Sequence, residues 1–253
     1  MTVWRTVTWY GLVELGKNRL AVVLVLGFVP LWITLAHVVA SPTPLQFRYR
    51  ATGGLLDVDS SQLMVIMGSL NAVTLITGFL MFSMTRRATD LDRRLVGAGC
   101  PRAVLLTAKL TALVVSTLVI ACWSTSVILV YWQPEQPGLL CLGLIMAGLT
   151  YGGIGIVLGV FLPGELEGMF TVIMISLLDL ILQNPLVNST SDKDIVTFLP
   201  SYGPLQTCVG AGFTDTVPTT QMLLCPVWLT GCALIGLVAF HARTRQRFQP
   251  TRV

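Results

Sequence analysis

Residues 85–109 read TRRATDLDRRLVGAGCPRAVLLTAK and form the densest charged stretch of a very apolar chain. The apolar runs on either side, residues 62–84 and 110–131, are each long enough to cross a hydrocarbon core of about 30 Å. The chain therefore has a charged elbow between two predicted membrane spans. The elbow holds six of the sixteen basic residues and two acids: Arg86, Arg87, Arg93, Arg94, Arg102, Lys109, Asp90 and Asp92.

The composition predicts that the whole chain, residues 1–253, is one transmembrane domain. Hydrophobic residues make up 54% of the sequence and charged residues only 11%, with a mean hydropathy of +0.77. About a quarter of the residues of a soluble domain are charged, so no stretch of this chain is left over to form one. The first apolar run, from Leu20, is too long for the core of a cleaved signal peptide, and we expect it to remain as a span.

Six apolar runs of suitable length predict an all-α membrane protein with six transmembrane helices. The more polar residues 1–19 carry aromatic and apolar side chains at roughly helical spacing, which favours a helix lying in the membrane interface. Residues 186–221 combine prolines with apolar patches and are expected to fold back onto the membrane. The predicted spans are residues 20–40, 62–84, 110–131, 138–161, 168–185 and 222–241.

The fourth predicted span carries glycines four residues apart, Gly148 with Gly152 and Gly155 with Gly159. Small residues at this spacing let helix backbones approach closely. The spacing predicts a packing role for these glycines, with a gating hinge as the alternative.

The distribution of basic residues predicts the orientation. Six spans place both termini on the side of the elbow, and an excess of Lys and Arg in short loops marks the cytoplasmic side. We therefore expect the elbow and both termini to be cytoplasmic. Thirteen basic residues fall on that side and three on the other: Arg5, Lys17, Arg19, Arg86, Arg87, Arg93, Arg94, Arg102, Lys109, Arg243, Arg245, Arg247 and Arg252, against Arg48, Arg50 and Lys193.

The sequence contains none of the catalytic patterns considered for it. No G-x-x-x-x-G-K-[ST] phosphate loop is present, so the chain does not bind ATP by that route. The two histidines, His37 and His241, are predicted at opposite membrane faces, which argues against a histidine-ligated metal site or a serine–histidine dyad. We predict no catalytic residue, no metal site, no cofactor on this chain and no nucleic-acid partner. The six cysteines fit small buried apolar residues, and only Cys208 and Cys225 are candidates to meet in an oxidising compartment.

Asp179 is the one ionisable residue well inside a predicted span. A carboxylate at that depth costs a few kcal/mol, so it should face a protein interface or a wet cavity. It is a candidate for the substrate path, either as a substrate contact or as a proton carrier. The alternatives are a hydrogen bond between helices, or a position nearer the headgroups.

Two acids precede the fifth predicted span, Glu165 and Glu167 in the turn LPGELE. They suit a helix N-terminus, whose partial positive charge favours carboxylates. They could instead pair with arginines of the elbow or of a partner, and Glu14 could belong to the same charged layer.

This layout resembles that of the ABC-2-type permease subunits of ATP-binding-cassette exporters. The family has an interfacial N-terminal helix, six spans, a charged coupling segment between spans two and three, an acidic turn before span five, and two re-entrant half-helices before span six. Here the coupling segment corresponds to residues 85–109 and the acidic turn to residues 164–167. The re-entrant pair corresponds to residues 195–220, with Pro200 and Pro204.

The resemblance implies a bacterial plasma-membrane protein that works with two separate ABC ATPase subunits, which bind the ATP and Mg, and with a second permease chain, the same or a sister. It implies export of a hydrophobic or amphipathic compound such as a drug, antibiotic, peptide or lipid. The residues implied in ATPase coupling are Arg86, Arg87, Asp90, Asp92, Arg93 and Arg94, with Glu14, Glu165 and Glu167 in the same layer.

Two other functions fit parts of the sequence. The chain could be a membrane anchor or assembly subunit for a cytoplasmic partner, without transporting anything itself. A secondary carrier is disfavoured because intramembrane charge is scarce and no inverted repeat is evident.

Overall fold

The computed structural model describes residues 19–185, 187–188 and 194–245, together with Trp9, Val13 and Gly16. The side chains of Leu20, Ala21, Asp90, Arg93, Arg102 and residues 240–245 are not part of this description. The predicted interfacial helix therefore lies largely outside the described residues, and Glu14 lies wholly outside them.

The described chain is helical apart from one short β-hairpin, formed by antiparallel strands β1 and β2. A π-helical turn, Leu24–Phe28, joins the first two helices, and a 3-10 turn, Asp194–Phe198, precedes α7. In chain order the elements are α1 (Arg19–Val23), α2 (Val29–Val39), β1 (Pro44–Arg48), β2 (Leu55–Asp59), α3 (Ser60–Gly97), α4 (Arg102–Tyr131), α5 (Pro137–Phe161), α6 (Glu165–Gln183), α7 (Tyr202–Phe213), α8 (Thr219–Met222) and α9 (Leu224–Arg245).

Four helical segments among the described residues are long and apolar enough to cross a membrane: Ser60–Thr89, Ala103–Tyr131, Pro137–Phe161 and Thr219–Ala239. They coincide with the second, third, fourth and sixth predicted spans, and the chain is a helical protein suited to a membrane. The first predicted span holds a shorter apolar helix, Leu24–Val39. The fifth corresponds to α6, whose composition includes Glu165, Glu167 and Asp179. The count of six spans stays a prediction.

The helix bundle is built around α3 and α5, which approach each other at glycines. A side chain at Gly155 would collide with the backbone of Gly78 in α3. At Gly159 an added Cβ would lie 2.9 Å from the carbonyl oxygen of Phe82. Gly152 leaves similar room for Leu113 of α4. The predicted packing role of the α5 glycines is confirmed, because larger side chains would force these helices apart.

The charged elbow is a helical hairpin, referred to below as the charged hairpin (residues 85–109). Helix α3 continues through the charged residues to Gly97, and α4 already begins at Arg102. The turn between them contains Gly99 at a φ of 89°, a conformation that favours glycine. The charged hairpin is thus a helical extension of the two predicted spans that flank it.

The opposite end of the bundle is covered by the β-hairpin, which the sequence analysis did not predict. Its strands pair in the register Pro44↔Asp59 to Arg48↔Leu55. Asp59 then caps α3, since its side chain accepts a hydrogen bond from the backbone N–H of Ser61 at 2.8 Å. The hairpin is fastened to the bundle through Tyr49, which is fully buried and donates its hydroxyl to the carbonyl of Gln206 at 3.1 Å.

The region before the last span contains one short buried helix, α7. Ten of its twelve residues are buried, so its backbone is surrounded by protein. Pro204 lies in its first turn, where a missing N–H costs little. The second half-helix of the predicted re-entrant pair corresponds to α8, a single turn that leads through Leu223 into α9. The pair itself stays a prediction.

Candidate functional site

The two arms of the charged hairpin are joined by a buried ion pair. Lys109 Nζ of α4 lies 2.5 Å from Asp92 Oδ2 of α3, and the two side chains are only 11% and 6% exposed. Removing one partner of such a pair is strongly destabilising, because it leaves a buried charge uncompensated. Asp92, one of the residues that the resemblance implies in ATPase coupling, therefore faces Lys109 inside the protein.

A second set of contacts ties α3 to the start of α6. Glu165 Oε1 lies 3.4 Å from Arg87 Nη2 and 3.4 Å from Ser83 Oγ. Arg86 donates a hydrogen bond to the carbonyl of Pro163. Glu165 and Glu167 occupy the first turn of α6, as its helix dipole favours. The sequence left open whether the acidic turn pairs with an arginine of the elbow or of a partner, and in the structure Arg87 of the charged hairpin lies beside Glu165.

Among the described residues, one face of the charged hairpin is exposed. Arg87, Leu91 and Arg94 are exposed and recur at helical spacing along the last turns of α3. Leu91 is 57% exposed, and Leu166 at the start of α6 is 81% exposed. We call Arg87, Leu91, Arg94 and Leu166 the docking face. The backbone of Asp90 and Arg93 is helical here, and their side chains lie outside the description.

Leu91 and Leu166 were not among the predicted site residues, because only the charged residues of these segments were considered as candidates. A leucine between arginines at helical spacing was the available signal for Leu91. Contiguous exposed apolar surface rimmed by charge marks interaction sites, and these two leucines are candidates for such a surface.

Asp179 is at the centre of a buried hydrogen-bond network. Its Oδ2 accepts from the hydroxyl of Tyr151 at 2.5 Å and from the backbone N–H of Ser201 at 2.9 Å. Its Oδ1 accepts from the side-chain amide of Gln183 at 2.5 Å. The network connects α5, α6 and the start of α7. Asp179 is 2% exposed, and this placement favours the hydrogen bond between helices among the roles considered for it.

The polar layer continues along α6 toward the middle of the bundle. Ser176, one turn before Asp179, shares a hydrogen bond of 2.7 Å with Thr74 of α3 and accepts from Asn71 at 3.4 Å. Buried hydroxyls and amides between apolar helices are held by such bonds, since an unpaired polar group in this setting is costly. Helix α6 is therefore fixed to its neighbours by hydrogen bonds at several levels.

The cysteines and His37 are the remaining candidate groups, and the described residues do not bring them together into one recognisable site. All six cysteines lie in the described part of the chain and are free thiols. The closest approach that the structure gives between two sulfurs is 3.9 Å, between Cys122 of α4 and Cys141 of α5. The ring of His37 packs on Tyr131, with centroids 4.9 Å apart. Within the described residues, no group of three His, Cys, Asp or Glu side chains is arranged to hold a metal ion.

No known protein-family model matches this chain, and no curated protein is detectably similar to it in sequence.

Proposed function

We propose that this protein is the membrane-spanning permease subunit of an ABC exporter of the ABC-2 type. It spans a bacterial plasma membrane six times with both termini in the cytoplasm. It associates with a second permease chain and with two separate ATPase subunits, which bind ATP and Mg. The hydrolysis of ATP on those subunits drives a hydrophobic or amphipathic compound outward.

The docking face supports this proposal more directly than any other feature. It combines two arginines with two exposed leucines, Leu91 and Leu166. A partner that covers the leucines and supplies acidic groups gains both apolar burial and charge pairing. This is the chemistry of a protein contact, and positive charges that only orient the chain in the membrane do not require exposed leucines between them.

The mechanical connections of the docking face support a coupling role. Helix α3 runs without interruption for 38 residues, which corresponds to about 57 Å at 1.5 Å per residue. The Asp92–Lys109 pair links its charged end to α4, and Glu165 links it to α6. A displacement of the docking face would therefore act on α3 directly, on α4 through the buried ion pair and on α6 through the contacts of Glu165.

The decisive experiment measures capture of a partner ATPase by the full-length protein in detergent. The probe is a candidate ABC ATPase, first of all one encoded by a reading frame adjacent to that of this chain if such a frame exists. We expect Leu91→Asp and Arg94→Glu each to weaken its capture at least tenfold, since a well-packed interface residue contributes about 2 kcal/mol or more. Leu55→Asp is the control, because Leu55 is also a largely exposed leucine and lies in the β-hairpin at the opposite end.

The same purified complexes distinguish transport from anchoring. After reconstitution in vesicles, the wild-type complex should couple ATP hydrolysis to movement of a fluorescent amphiphile across the bilayer. Capture of the ATPase without coupled movement would identify an anchoring subunit. If no ATPase is captured, or if Leu91→Asp and Leu55→Asp behave alike, the docking face is not the coupling surface and the proposal fails.

A further inference from the structure

Two cysteines of neighbouring helices face each other where α4 packs against α5. Cys122 Sγ of α4 lies 3.9 Å from Cys141 Sγ of α5, and one thiol donates a hydrogen bond to the other. Both are free thiols, and Cys122 is exposed whereas Cys141 is half-buried. The two residues are 19 positions apart in the sequence and on different helices, so only the fold brings their side chains together.

The separation of the two sulfurs indicates the chemistry for which the pair is suited. A disulfide needs an S–S bond of about 2.05 Å, so these sulfurs would have to approach each other by about 1.9 Å. Two sulfurs that share a metal ion, each at about 2.3 Å as in a zinc–thiolate bond, are 3.9 Å apart when the sulfur–metal–sulfur angle is about 116°. The pair therefore already has the separation of a metal-bridged dithiol.

The small number of ligands favours a soft ion. Among the described residues, no third His, Cys, Asp or Glu side chain joins the two cysteines in a metal-binding group. Structural zinc almost always takes four ligands in a tetrahedron, which the pair does not supply. Thiolate sulfur selects soft ions such as Cu(I), and a site with only sulfur ligands has no preference for harder ions.

The location of the pair favours a monovalent ion. Cys141 lies about 6 Å along α5 from Pro137, at the end of the bundle opposite the charged hairpin. Both helices are long and apolar enough to cross a membrane, and a net charge inside a membrane is costly. When a monovalent cation replaces one thiol proton, the thiolate, the ion and the remaining thiol are neutral together. A dication in the same place would leave a positive charge.

We infer that Cys122 and Cys141 bind one Cu(I) ion, or another soft monovalent ion of the same chemistry such as Ag(I), between α4 and α5. Both sulfurs bind the ion, and one thiol releases its proton to the medium. The copper stays Cu(I), so no electron is transferred. The inference does not rest on the proposed function, since the ion binds without an ATPase and without transport.

The probe is Cu(I) held by the chromogenic chelator bicinchoninate, added without oxygen to the full-length protein in lipid nanodiscs. Loss of the colour of the chelator complex measures transfer of the ion. We expect the wild type to withdraw one Cu(I) per chain. Cys122→Ser and Cys141→Ser should each weaken the binding about a hundredfold or more, because removal of one of two linked ligands abolishes their joint binding.

The matched control is Cys100→Ser. Cys100 is another free and partly exposed cysteine, and it lies in the turn of the charged hairpin, between the end of α3 and the start of α4. This variant should withdraw Cu(I) as the wild type does. A thiol that acts alone is thereby distinguished from the pair.

Thermal unfolding separates loss of the ion from misfolding. Without copper, Cys122→Ser should unfold like the wild type, because the replaced side chain is exposed. Added Cu(I) should raise the midpoint of unfolding of the wild type and of Cys100→Ser, since a ligand that binds the folded state stabilises it. The midpoint of Cys122→Ser should not respond to copper.

Two outcomes would overturn the inference. If the wild type withdraws no Cu(I) from the chelator, the pair is not a copper site, and a disulfide formed by the thiol oxidant diamide would then identify it as an oxidisable dithiol. If Cys122→Ser binds Cu(I) as tightly as the wild type, the ion is held by other thiols of the chain.

Discussion

At the scale of single residues, Asp179 is most informative because its partners come from three parts of the chain. Tyr151, Gln183 and the backbone of Ser201 all donate to it. Replacement by leucine would leave buried donors unpaired, at about 1–3 kcal/mol for each. We expect Asp179→Leu to lower the midpoint of thermal unfolding by several degrees, measured on the purified protein in detergent. Asp215→Leu is the control, since Asp215 is an exposed acid at the same end.

The outcome also decides between the roles considered for Asp179. If Asp179→Asn unfolds like the wild type but reduces substrate-stimulated ATP hydrolysis, the carboxylate belongs to the substrate path. If stability and activity fall together, it is a packing residue. An unchanged midpoint for Asp179→Leu would contradict the network itself.

At the scale of elements, the charged hairpin should depend on its buried ion pair. Lys109→Met leaves Asp92 buried without its partner, so we expect a loss of about 3–5 kcal/mol. The double replacement Asp92→Leu with Lys109→Met should recover most of this loss, because no uncompensated charge remains. Unfolding by denaturant measures both variants, and a double variant no more stable than Lys109→Met would refute the pair's role.

The control for this prediction is the exposed pair between Arg87 and Glu165. Both side chains are more than half exposed, and exposed pairs contribute about 0–1 kcal/mol. Arg87→Met should therefore change stability far less than Lys109→Met. The two variants remove the same charge from the same hairpin and differ in the burial of the partner.

The elements differ in how far the sequence predicts them, for physical reasons. The four apolar helices and the glycine contacts of α5 follow from run length and small-residue spacing, which act locally. The β-hairpin was missed because its placement depends on Tyr49 meeting Gln206, 157 residues further along the chain. The helical continuation of α3 was missed because its charged residues were taken to end the span. Polar side chains end the membrane crossing of a helix, but they do not end the helix.

At the scale of the whole molecule, the orientation in the membrane is the prediction on which the proposed function depends. Helix α4 alone separates the charged hairpin from the turn that holds Glu135, so these two sites should lie on opposite sides of the membrane. In a cysteine-free variant, we expect a membrane-impermeant maleimide to label Glu135→Cys on intact cells and Arg87→Cys only after permeabilisation. Both positions are exposed in the folded chain, so accessibility within the protein does not decide the result.

The physical reason for this expectation is the asymmetry of the basic residues, since the six predicted spans put thirteen of them on the side of the charged hairpin and three on the other. Labelling of Arg87→Cys on intact cells, with Glu135→Cys protected, would show that the protein has the opposite orientation in the membrane. The docking face would then be outside the cell, where no ATPase could reach it. Labelling of both positions from outside would show that α4 does not cross the membrane. The expected result places the docking face on the cytoplasmic side, where a partner ATPase has access to ATP, as the proposed function requires.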